Sequence, residues 1–385
     1  MAFAVHSFAL NTRIIFGNDA LRELPEAGKS FGSTVLVVTG QTSAMLNNVL
    51  TRVRNMLTAA EITPVVFAEI SSEPTLDMIG RGLTLARREQ VDWVIGLGGG
   101  SAMDAAKAIA GLYHAPEEPR YYFEGGSIET AGLPLIAIPT TAGSGAEVTP
   151  NAVLSDPKRG IKQSIRDPKL AARLALVDPQ LTVSLPPELT AYSGMDALVQ
   201  AIEVFTSKGA NPLSDIYAYS AIERIGANLL KAFQNSADGD ARTELALGSL
   251  MAGVALSNAQ LGAVHGLAHS IGIRTGRPHG LVCAVLLVPV MRFNMPVSFE
   301  RYALVGKALG HNILGMDPID AAAQGIKTIM ALMKKLGIPP HIRSLGVTEA
   351  DLPAIVAASL PSGSLEANPR EAKAEDLRNI LLENF

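Results

Sequence analysis

The sequence is poor in cysteine and in aromatic residues. Its 385 residues include one cysteine, Cys283, and one tryptophan, and aromatic residues make up 5% of the chain. A single cysteine excludes a disulfide within the chain, and such scarcity is typical of proteins from a reducing compartment. The N-terminal segment also lacks the basic region and small-residue cleavage site of a secretory signal. We therefore expect a cytoplasmic protein.

The sequence also lacks a strong charge bias and a long apolar run. Its formal net charge is −4, and 18% of its residues are charged. This balance gives no electrostatic reason to expect nucleic acid or an anionic membrane as a partner. The most apolar window, VCAVLLVPVM at 282–291, is far shorter than the ~18 residues of a membrane-spanning helix and contains a proline. We predict that it is a buried helix.

Short β-branched runs alternate with amphipathic stretches in the first half of the chain. Continuous apolar runs of this kind are typical of parallel strands that are buried on both faces. The predicted strands are 34–39, 63–68, 91–98 and 133–139. Together with the helical stretches between them, they indicate a doubly wound α/β domain with a parallel sheet and flanking helices. The segments SFAL and TRIIFG, near the N-terminus, predict a hairpin at the edge of that sheet.

The pattern changes at about residue 184. Strand-like runs end there, and helical periodicity extends over the rest of the chain. The length also exceeds the ~250–300 residues at which a single core usually stops growing. We predict two domains, an α/β domain over 1–184 and an all-helical domain over 185–385.

A glycine-rich turn joins a predicted strand to a predicted helix. Gly98, Gly99, Gly100 and Ser101 lie in VIGLGGGSAMDAAKAIA. Glycines let backbone N–H groups approach an anionic ligand, and the helix N-terminus adds partial positive charge, so the turn suits a diphosphate. A capped helix start without a ligand, using Ser101, is the alternative. The spacing differs from that of the G-x-G-x-x-G fingerprint, and Gly40, at a strand end, leaves room for the 2′-phosphate of NADP.

A second loop, IPTTAGSGAEVTPNAVLSD at 138–156, is rich in small hydroxyl residues. It follows an apolar strand, and ligands bind at the carboxyl ends of strands in open α/β sheets. Contacts with ribose or phosphate are one interpretation, and a simple turn is the other. The nearby glycine-rich turn favours the first.

Three of the seven histidines, His265, His269 and His279, fall within fifteen positions. His265 and His269 are four residues apart on a predicted helix, as are Asp196 and Gln200 on another. One carboxylate, two imidazoles and a further oxygen donor form a set suited to Zn²⁺ or Fe²⁺ in a catalytic site. A hydrogen-bonded core histidine is the ordinary alternative for each imidazole taken singly.

Four motifs together resemble the iron-containing, group III, alcohol dehydrogenase family. They are GGGSAMDAAKAIA, PTTAGSGAEVT, GMDALVQAIE and HGLAHSIGIRTGRPHG, and their order spans essentially the whole chain. The resemblance implies a dehydroquinate synthase-like architecture, with an NAD(P)-binding α/β domain, a helical domain and a divalent metal, Fe²⁺ or Zn²⁺. The implied metal ligands are Asp196, Gln200, His265 and His279, and His269 would lie near the nicotinamide. The implied cofactor-binding residues are Gly40, Gly98, Gly99, Gly100, Ser101, Thr140, Thr141, Ser144, Asn151, Val153 and Lys162.

Position 200 departs from the family pattern. The family's usual ligand there is histidine, whereas this chain has Gln200. A neutral amide binds through its carbonyl oxygen, which is a harder and weaker donor than imidazole. We expect weaker binding of Fe²⁺ or Zn²⁺, and a role for Gln200 in orienting water or Asp196 is the alternative.

The resemblance implies a metal-dependent NAD(P)-linked alcohol dehydrogenase or aldehyde reductase. Hydride would pass between the alcohol carbon and C4 of the nicotinamide, with His269 as a proton relay. The substrate would be a small alcohol or aldehyde, and the protein a homodimer or higher homo-oligomer. The main alternative is a metal-independent reductase of an oxo acid, similar to maleylacetate reductases, with Arg274 and Arg277 holding the carboxylate. A lyase similar to dehydroquinate synthase and a non-catalytic partner subunit are further alternatives.

Overall fold

A computed structural model describes residues 5–41, 48–70 and 73–385 of the protein. The chain divides into two compact units. The α/β unit comprises Leu10–Thr141 and Gly145–Leu185, and the helical unit comprises Ala142–Ser144, Pro186–Phe385 and the described residues up to Ala9.

A six-stranded parallel sheet forms the centre of the α/β unit, in the order β1-β8-β5-β4-β2-β3. A separate antiparallel pair is formed by β6 and β7. The strands are β1 (Arg13–Phe16), β2 (Thr34–Gly40), β3 (Thr63–Ile70), β4 (Trp93–Gly98), β5 (Leu135–Pro139), β6 (Asn151–Asp156), β7 (Ile161–Arg166) and β8 (Leu174–Val177). The predicted parallel sheet is confirmed, and the four predicted strands correspond to β2 to β5. Residues of β4 and β5 are buried throughout, as expected for strands covered on both faces.

The predicted N-terminal hairpin is wrong. Strand β1 pairs in parallel with β8, with Arg13 opposite Leu174. The described residues before β1 form no strand, because the backbone of Ala9 and the ring of Phe8 contact residues of the helical unit instead. Ala9 exchanges hydrogen bonds with the Asn258 side chain, and Phe8 stacks on Tyr217 at 5.7 Å between ring centroids.

The loop predicted over 138–156 also needs correction, because its last part is strand β6. This strand pairs with β7 from Asn151 opposite Arg166 to Asp156 opposite Ile161. The Ser155 N–H additionally donates to Pro74 O at 2.9 Å. Strand β7 follows β6 closely in the chain, but the small polar and turn-forming residues of the segment gave it the local pattern of a loop.

The described residues of the α/β unit form five α-helices. They are α1 (Leu24–Lys29), α2 (Val49–Ala59), α3 (Leu76–Arg88), α4 (Gly100–Leu112) and α5 (Pro119–Phe123). Helix α4 follows the glycine-rich turn and is buried from Ala102 to Leu112. Gly96 in β4 makes this packing possible, because a Cβ there would lie 2.9 Å from Ala106 Cβ. Strand β4 and helix α4, which the glycine-rich turn connects, are therefore in van der Waals contact at Gly96 and Ala106.

The helical unit contains the remaining α-helices. They are α6 (Pro187–Thr206), α7 (Pro212–Gln234), α8 (Gly239–Ser257), α9 (Ala263–Thr275), α10 (His279–Ala308), α11 (Pro318–Lys335), α12 (Leu352–Ser359), α13 (Gly363–Glu366) and α14 (Ala374–Glu383). No strand follows Val177 in the described part of the chain. The predicted helical character of the C-terminal half is therefore confirmed. Apolar residues of α6, α9 and α10 form one continuous buried cluster.

Helix α10 contains the apolar window at 282–291 and is longer than the sequence indicated. It runs for 30 residues through Pro289 and Pro296, with non-helical backbone angles at Ser298. By length and composition it is the one helix among the described residues that could cross a membrane, but 72% of its apolar window is buried inside the protein. This burial is typical of a core helix, as predicted.

We expect Gly96→Ala to destabilise the protein by about 1–3 kcal/mol, because the added methyl group would overlap helix α4. Gly80→Ala is the matched control, since a Cβ at Gly80 in α3 meets nothing within 4 Å. The control should raise the free energy of unfolding by about 0.4–1 kcal/mol, because alanine reduces the conformational entropy of the unfolded chain. Urea unfolding followed by circular dichroism measures both effects, and equal stability of the two variants would refute the packing argument.

Candidate active site

Helix α6 carries the first group of polar side chains. Asp196, Gln200 and Glu203 occupy one face, since helical residues four and seven apart align. All three are buried, with 8%, 3% and 5% of their surface exposed. Buried carboxylates among apolar residues need partners, so this face must meet cations or hydrogen-bond donors.

Helix α9 supplies such donors to Glu203. The Val264 N–H donates to Glu203 Oε1 at 2.7 Å, and His265 Nδ1 lies 2.5 Å from Glu203 Oε2. An ionised carboxylate only accepts hydrogen bonds, so Nδ1 of His265 carries the proton and Nε2 points away from Glu203. Gly262 permits this approach, because a Cβ there would lie 2.9 Å from Glu203 Oε1. Glu203 therefore fixes both the tautomer and the orientation of His265.

Helix α10 brings His279 to the same place. It begins at His279 after a bend in which Gly276 has a left-handed φ of +64°. Its second residue, Gly280, packs against α6 so closely that a Cβ would lie 2.1 Å from Tyr192 O and 3.1 Å from Asp196 Cβ. Only glycine fits there, and the contact sets His279 beside Asp196.

The three helices converge on a cluster of potential metal ligands. Asp196 Oδ1 lies 3.7 Å from His265 Nε2 and 3.8 Å from His279 Nε2. Cys283 Sγ lies 3.5 Å from His279 Nε2. The ligand atoms of Asp196, His265, His279 and Cys283 are all within 4.8 Å of one another. Two atoms bound to one Zn²⁺ at 2.0–2.3 Å with tetrahedral geometry lie about 3.3–3.8 Å apart, and the three distances given above fall in that range.

The polarity of the cluster fits a cation. Asp196 Oδ1 is buried without a hydrogen-bond partner among the described residues. Burial acts to raise the pKa of Asp196, but the facing His279 and His265 outweigh it and the pKa lies below its ordinary value. For His265, burial acts to lower the pKa, whereas Cys283, Glu203 and Asp196 together hold it well above its ordinary value. The site thus favours positive charge next to Asp196, and a divalent cation supplies it.

Two of these residues were not among the predicted site residues. Cys283 was interpreted as a core residue because it lies in an apolar run, and its burial agrees with that interpretation. Its position four residues after His279 was the available signal, since such pairs share a helix face. Glu203 was missed although a carboxylate in the apolar stretch ALVQAIEVF is the same kind of signal as Asp196.

His269 lies one turn after His265 on α9 and is half-buried. Its ring centroid is 5.5 Å from that of His279. The third predicted histidine therefore borders the metal cluster without belonging to its ligand atoms.

The glycine-rich turn contacts the first residues of the loop at 138–156, here called the threonine loop, within the α/β unit. Gly98 has a φ of +148°, and Gly99 is the N-cap of α4. The Thr140 N–H donates to Gly98 O at 2.9 Å, and a Cβ at Gly99 would lie 3.4 Å from the Thr141 side chain. Gly100 and Ser101 are the first two residues of α4. The capping box considered for Ser101 is not formed, since the N-cap is Gly99 and has no side chain to accept a bond.

A buried ion pair within α4 is hydrogen-bonded to strand β6 and to the segment before it. Lys107 Nζ lies 2.8 Å from Asp104 Oδ1, and Lys107 is 1% exposed. Asp104 Oδ2 accepts a hydrogen bond from the Val153 N–H at 3.1 Å, and Lys107 Nζ donates to Thr149 Oγ1 at 3.2 Å. These bonds fix the backbone on which the predicted cofactor residues Asn151 and Val153 lie.

The other predicted cofactor residues lie at three different places. Gly40 is the last residue of β2, where the pairing with β3 shifts register. Lys162 is on β7, and its Nζ lies 2.7 Å from Glu73 Oε2. Ser144 belongs to the short segment assigned to the helical unit.

Glu147, in the threonine loop, is an unusual buried carboxyl group. It is 4% exposed, and burial raises its pKa from 4.5 to about 7, with Lys107 opposing the shift. Folding therefore favours the protonated form, so the stability contributed by this group falls as the pH rises from 4.5 to about 7.

Comparison with known proteins defines the class. The family model "Iron-containing alcohol dehydrogenase" matches residues 11–179, and the model of the family's C-terminal region matches residues 190–385. The chain belongs to the iron-containing alcohol dehydrogenase family, as its motifs indicated.

Individual relatives match along nearly their full length. The 1,3-propanediol dehydrogenase of Klebsiella pneumoniae is 34% identical, with 100% of both chains covered. The lactaldehyde reductase of Escherichia coli K12 is 35% identical over 96% of each chain. The crystal structure of sulfoacetaldehyde reductase from Bifidobacterium kashiwanohense in complex with NAD⁺ has a TM-score of 0.88 at 27% identity, with 99% of both chains covered.

We expect Glu203→Gln to lower zinc affinity about 10–100-fold, the usual cost of losing a residue that orients a ligand. The amide oxygen can still accept from Val264, but the amide NH₂ would then face His265 Nδ1 and favour the wrong tautomer. Competition with a chromophoric chelator measures the affinity. Glu223→Gln, at an exposed position of α7, removes the same charge and should not change it. Equal affinity of both variants would exclude the orienting role.

We expect Glu147→Gln to stabilise the protein more at pH 8 than at pH 5. The unfolded carboxyl ionises near 4.5 and the folded one near 7, so the cost of burying the charge reaches about 3 kcal/mol above pH 7. Urea unfolding at both pH values measures the difference, and Glu129→Gln at an exposed position is the control. A gain that is the same at both pH values would contradict the assigned pKa.

Proposed function

We propose that this protein is a metal-dependent, NAD(P)-linked alcohol dehydrogenase and aldehyde reductase. The observation that carries the proposal is the buried cluster of Asp196, His265 and His279, whose potential ligand atoms are close enough to share one cation. Family membership and relatives named as a diol dehydrogenase and an aldehyde reductase support the reaction class.

Asp196, His265 and His279 would hold the divalent metal, Fe²⁺ or Zn²⁺. When bound, such a cation supplies Lewis-acid polarisation of the substrate oxygen. The chain's own contribution is to direct Nε2 of His265 toward Asp196 through the contact of Nδ1 with Glu203, and to keep Asp196 ionised. Buried apolar surroundings limit water near the ligands, which strengthens their electrostatic effect.

We propose the dinucleotide site in residues 1–184 and the metal and substrate site in residues 185–385. Gly98, Gly99, Gly100 and Ser101 would hold the pyrophosphate at the N-terminus of α4. A nicotinamide cofactor supplies or accepts the hydride when bound. The remaining cofactor contacts are proposed for Gly40, Thr140, Thr141, Ser144, Asn151, Val153 and Lys162. The NAD⁺ complex of the reductase from Bifidobacterium kashiwanohense supports a dinucleotide of this kind.

His269 is proposed as the proton relay. It is half-buried, its ring borders that of His279, and it lies outside the cluster of candidate ligand atoms. Imidazole titrates near neutral pH, which suits this role. The substrate is a small alcohol or aldehyde, and we propose a cytoplasmic homodimer or higher homo-oligomer.

The arginine contacts weaken the alternative of a metal-independent oxo acid reductase. Arg274 forms an ion pair with Asp351 at 3.0 Å, and Arg277 Nε donates to Leu345 O at 3.3 Å. Both side chains thus have partners within the protein. A carboxylate substrate would have to compete with these contacts.

Removing the metal tests the proposal. We expect chelator-treated protein to lose propanal reduction with NADH and NADPH, and Fe²⁺ or Zn²⁺ to restore it, because the polarising cation is essential. Cofactor absorbance measures turnover, and NADH binding to the stripped protein serves as the control for folding. Unchanged turnover after stripping would refute metal dependence. Reduction of an oxo acid by the stripped protein would identify the alternative reductase, and cofactor binding without any turnover would indicate a partner subunit.

A further inference from the structure

The metal cluster contains a sulfur atom at a place where the chain needs an additional ligand. Cys283 lies four residues after His279 on α10, so both side chains project from one helix face. Its thiol is fully buried, and its Sγ lies within 4.8 Å of the ligand atoms of Asp196, His265 and His279. The distance of 3.5 Å to His279 Nε2 is short enough for both atoms to bind one ion.

Gln200 is a poor fourth ligand by comparison. Its Nε2 is buried without a hydrogen-bond partner among the described residues, although Gln200 shares the α6 face with Asp196. A neutral amide oxygen is a weak donor to Zn²⁺ or Fe²⁺, whereas thiolate is among the strongest. With an amide at position 200, metal affinity therefore increases more if the Cys283 sulfur coordinates than if Gln200 does.

We propose that Cys283 is the fourth protein ligand of the metal, with Asp196, His265 and His279, and that Gln200 does not coordinate. This inference rests on the proposed presence of a divalent metal. As the metal–sulfur bond forms, the thiol proton passes to solvent, and no electron transfer is involved. The two ligand charges of Asp196 and the Cys283 thiolate then neutralise the dication, which lowers the cost of burying it.

Sulfur ligation also determines which metal the site prefers. Thiolate is a soft ligand, and a site with one thiolate and two imidazoles favours Zn²⁺ and Co²⁺ over the hard ions Mg²⁺ and Mn²⁺. We infer that this protein selects zinc more strongly than a site with only oxygen and nitrogen ligands would.

Cobalt substitution tests the assignment of Cys283 directly. Chelator-stripped full-length protein is titrated with Co²⁺ under anaerobic conditions, and its absorption spectrum is recorded. We expect visible ligand-field bands together with a near-ultraviolet sulfur-to-cobalt charge-transfer band. Cys283→Ser should lose the charge-transfer band and bind Co²⁺ more than about tenfold more weakly, since outer-shell losses alone cost that much.

Gln200→Leu is the matched control, because leucine fills a similar volume and has no donor atom. It should keep the charge-transfer band and bind Co²⁺ within about twofold of the wild type, because Gln200 is not a ligand under this proposal. Circular dichroism of both variants checks that they fold. If Cys283→Ser does not fold, Cys283→Ala replaces it in the same titration.

Three outcomes would overturn the inference. If wild-type protein shows ligand-field bands without the charge-transfer band, the metal is present but Cys283 is not a ligand, and the proposed function stands. Loss of Co²⁺ binding in Gln200→Leu but not in Cys283→Ser would lead to the same conclusion. If wild-type protein binds no Co²⁺ and still reduces propanal, both the inference and the metal-dependent function are wrong.

Discussion

The metal cluster depends on one buried contact, that of Glu203 with the start of helix α9. The carboxylate accepts the Val264 N–H and the Nδ1–H of His265, so a single side chain fixes both the helix and the imidazole that it carries. Without it, His265 could turn or exchange tautomers, and Nε2 would no longer face Asp196 reliably. Histidines that bind metals almost always donate their other ring N–H to a carboxylate, a backbone carbonyl or water, and Glu203 is placed for that role.

The close approach of α10 to α6 is the second constraint, and glycine makes it possible. Gly280 lies against the Tyr192 carbonyl, where any side chain would overlap the backbone of α6. Gly262 plays the same part for Glu203 on α9. The candidate ligands come from three helices, so their convergence depends on how closely the helix backbones approach. Small residues at these two contacts therefore determine the site as much as the ligands themselves do.

Local sequence patterns predicted the elements better than their partners. The spacing of Asp196 and of His265 on their helices was visible because helical periodicity depends only on neighbours in sequence. Strand β6 was hidden because its segment is rich in small polar and turn-forming residues. The true partner of β1 was not visible, since β8 is distant in sequence. Cys283 was missed for the same reason. A cysteine in an apolar helix resembles a core residue until the facing helix is known.

The two units use the same arrangement to shape their candidate sites. In the helical unit, Glu203 accepts a backbone N–H and holds an imidazole. In the α/β unit, Asp104 accepts the Val153 N–H and pairs with Lys107, which in turn binds Thr149. A buried ion pair contributes little net stability, because desolvation offsets the attraction between the charges. It nevertheless penalises every other arrangement of its partners, since each would leave a buried charge unpaired. The buried carboxylates therefore act mainly by selecting one geometry for the ligand helix and one for the loop proposed to bind the cofactor.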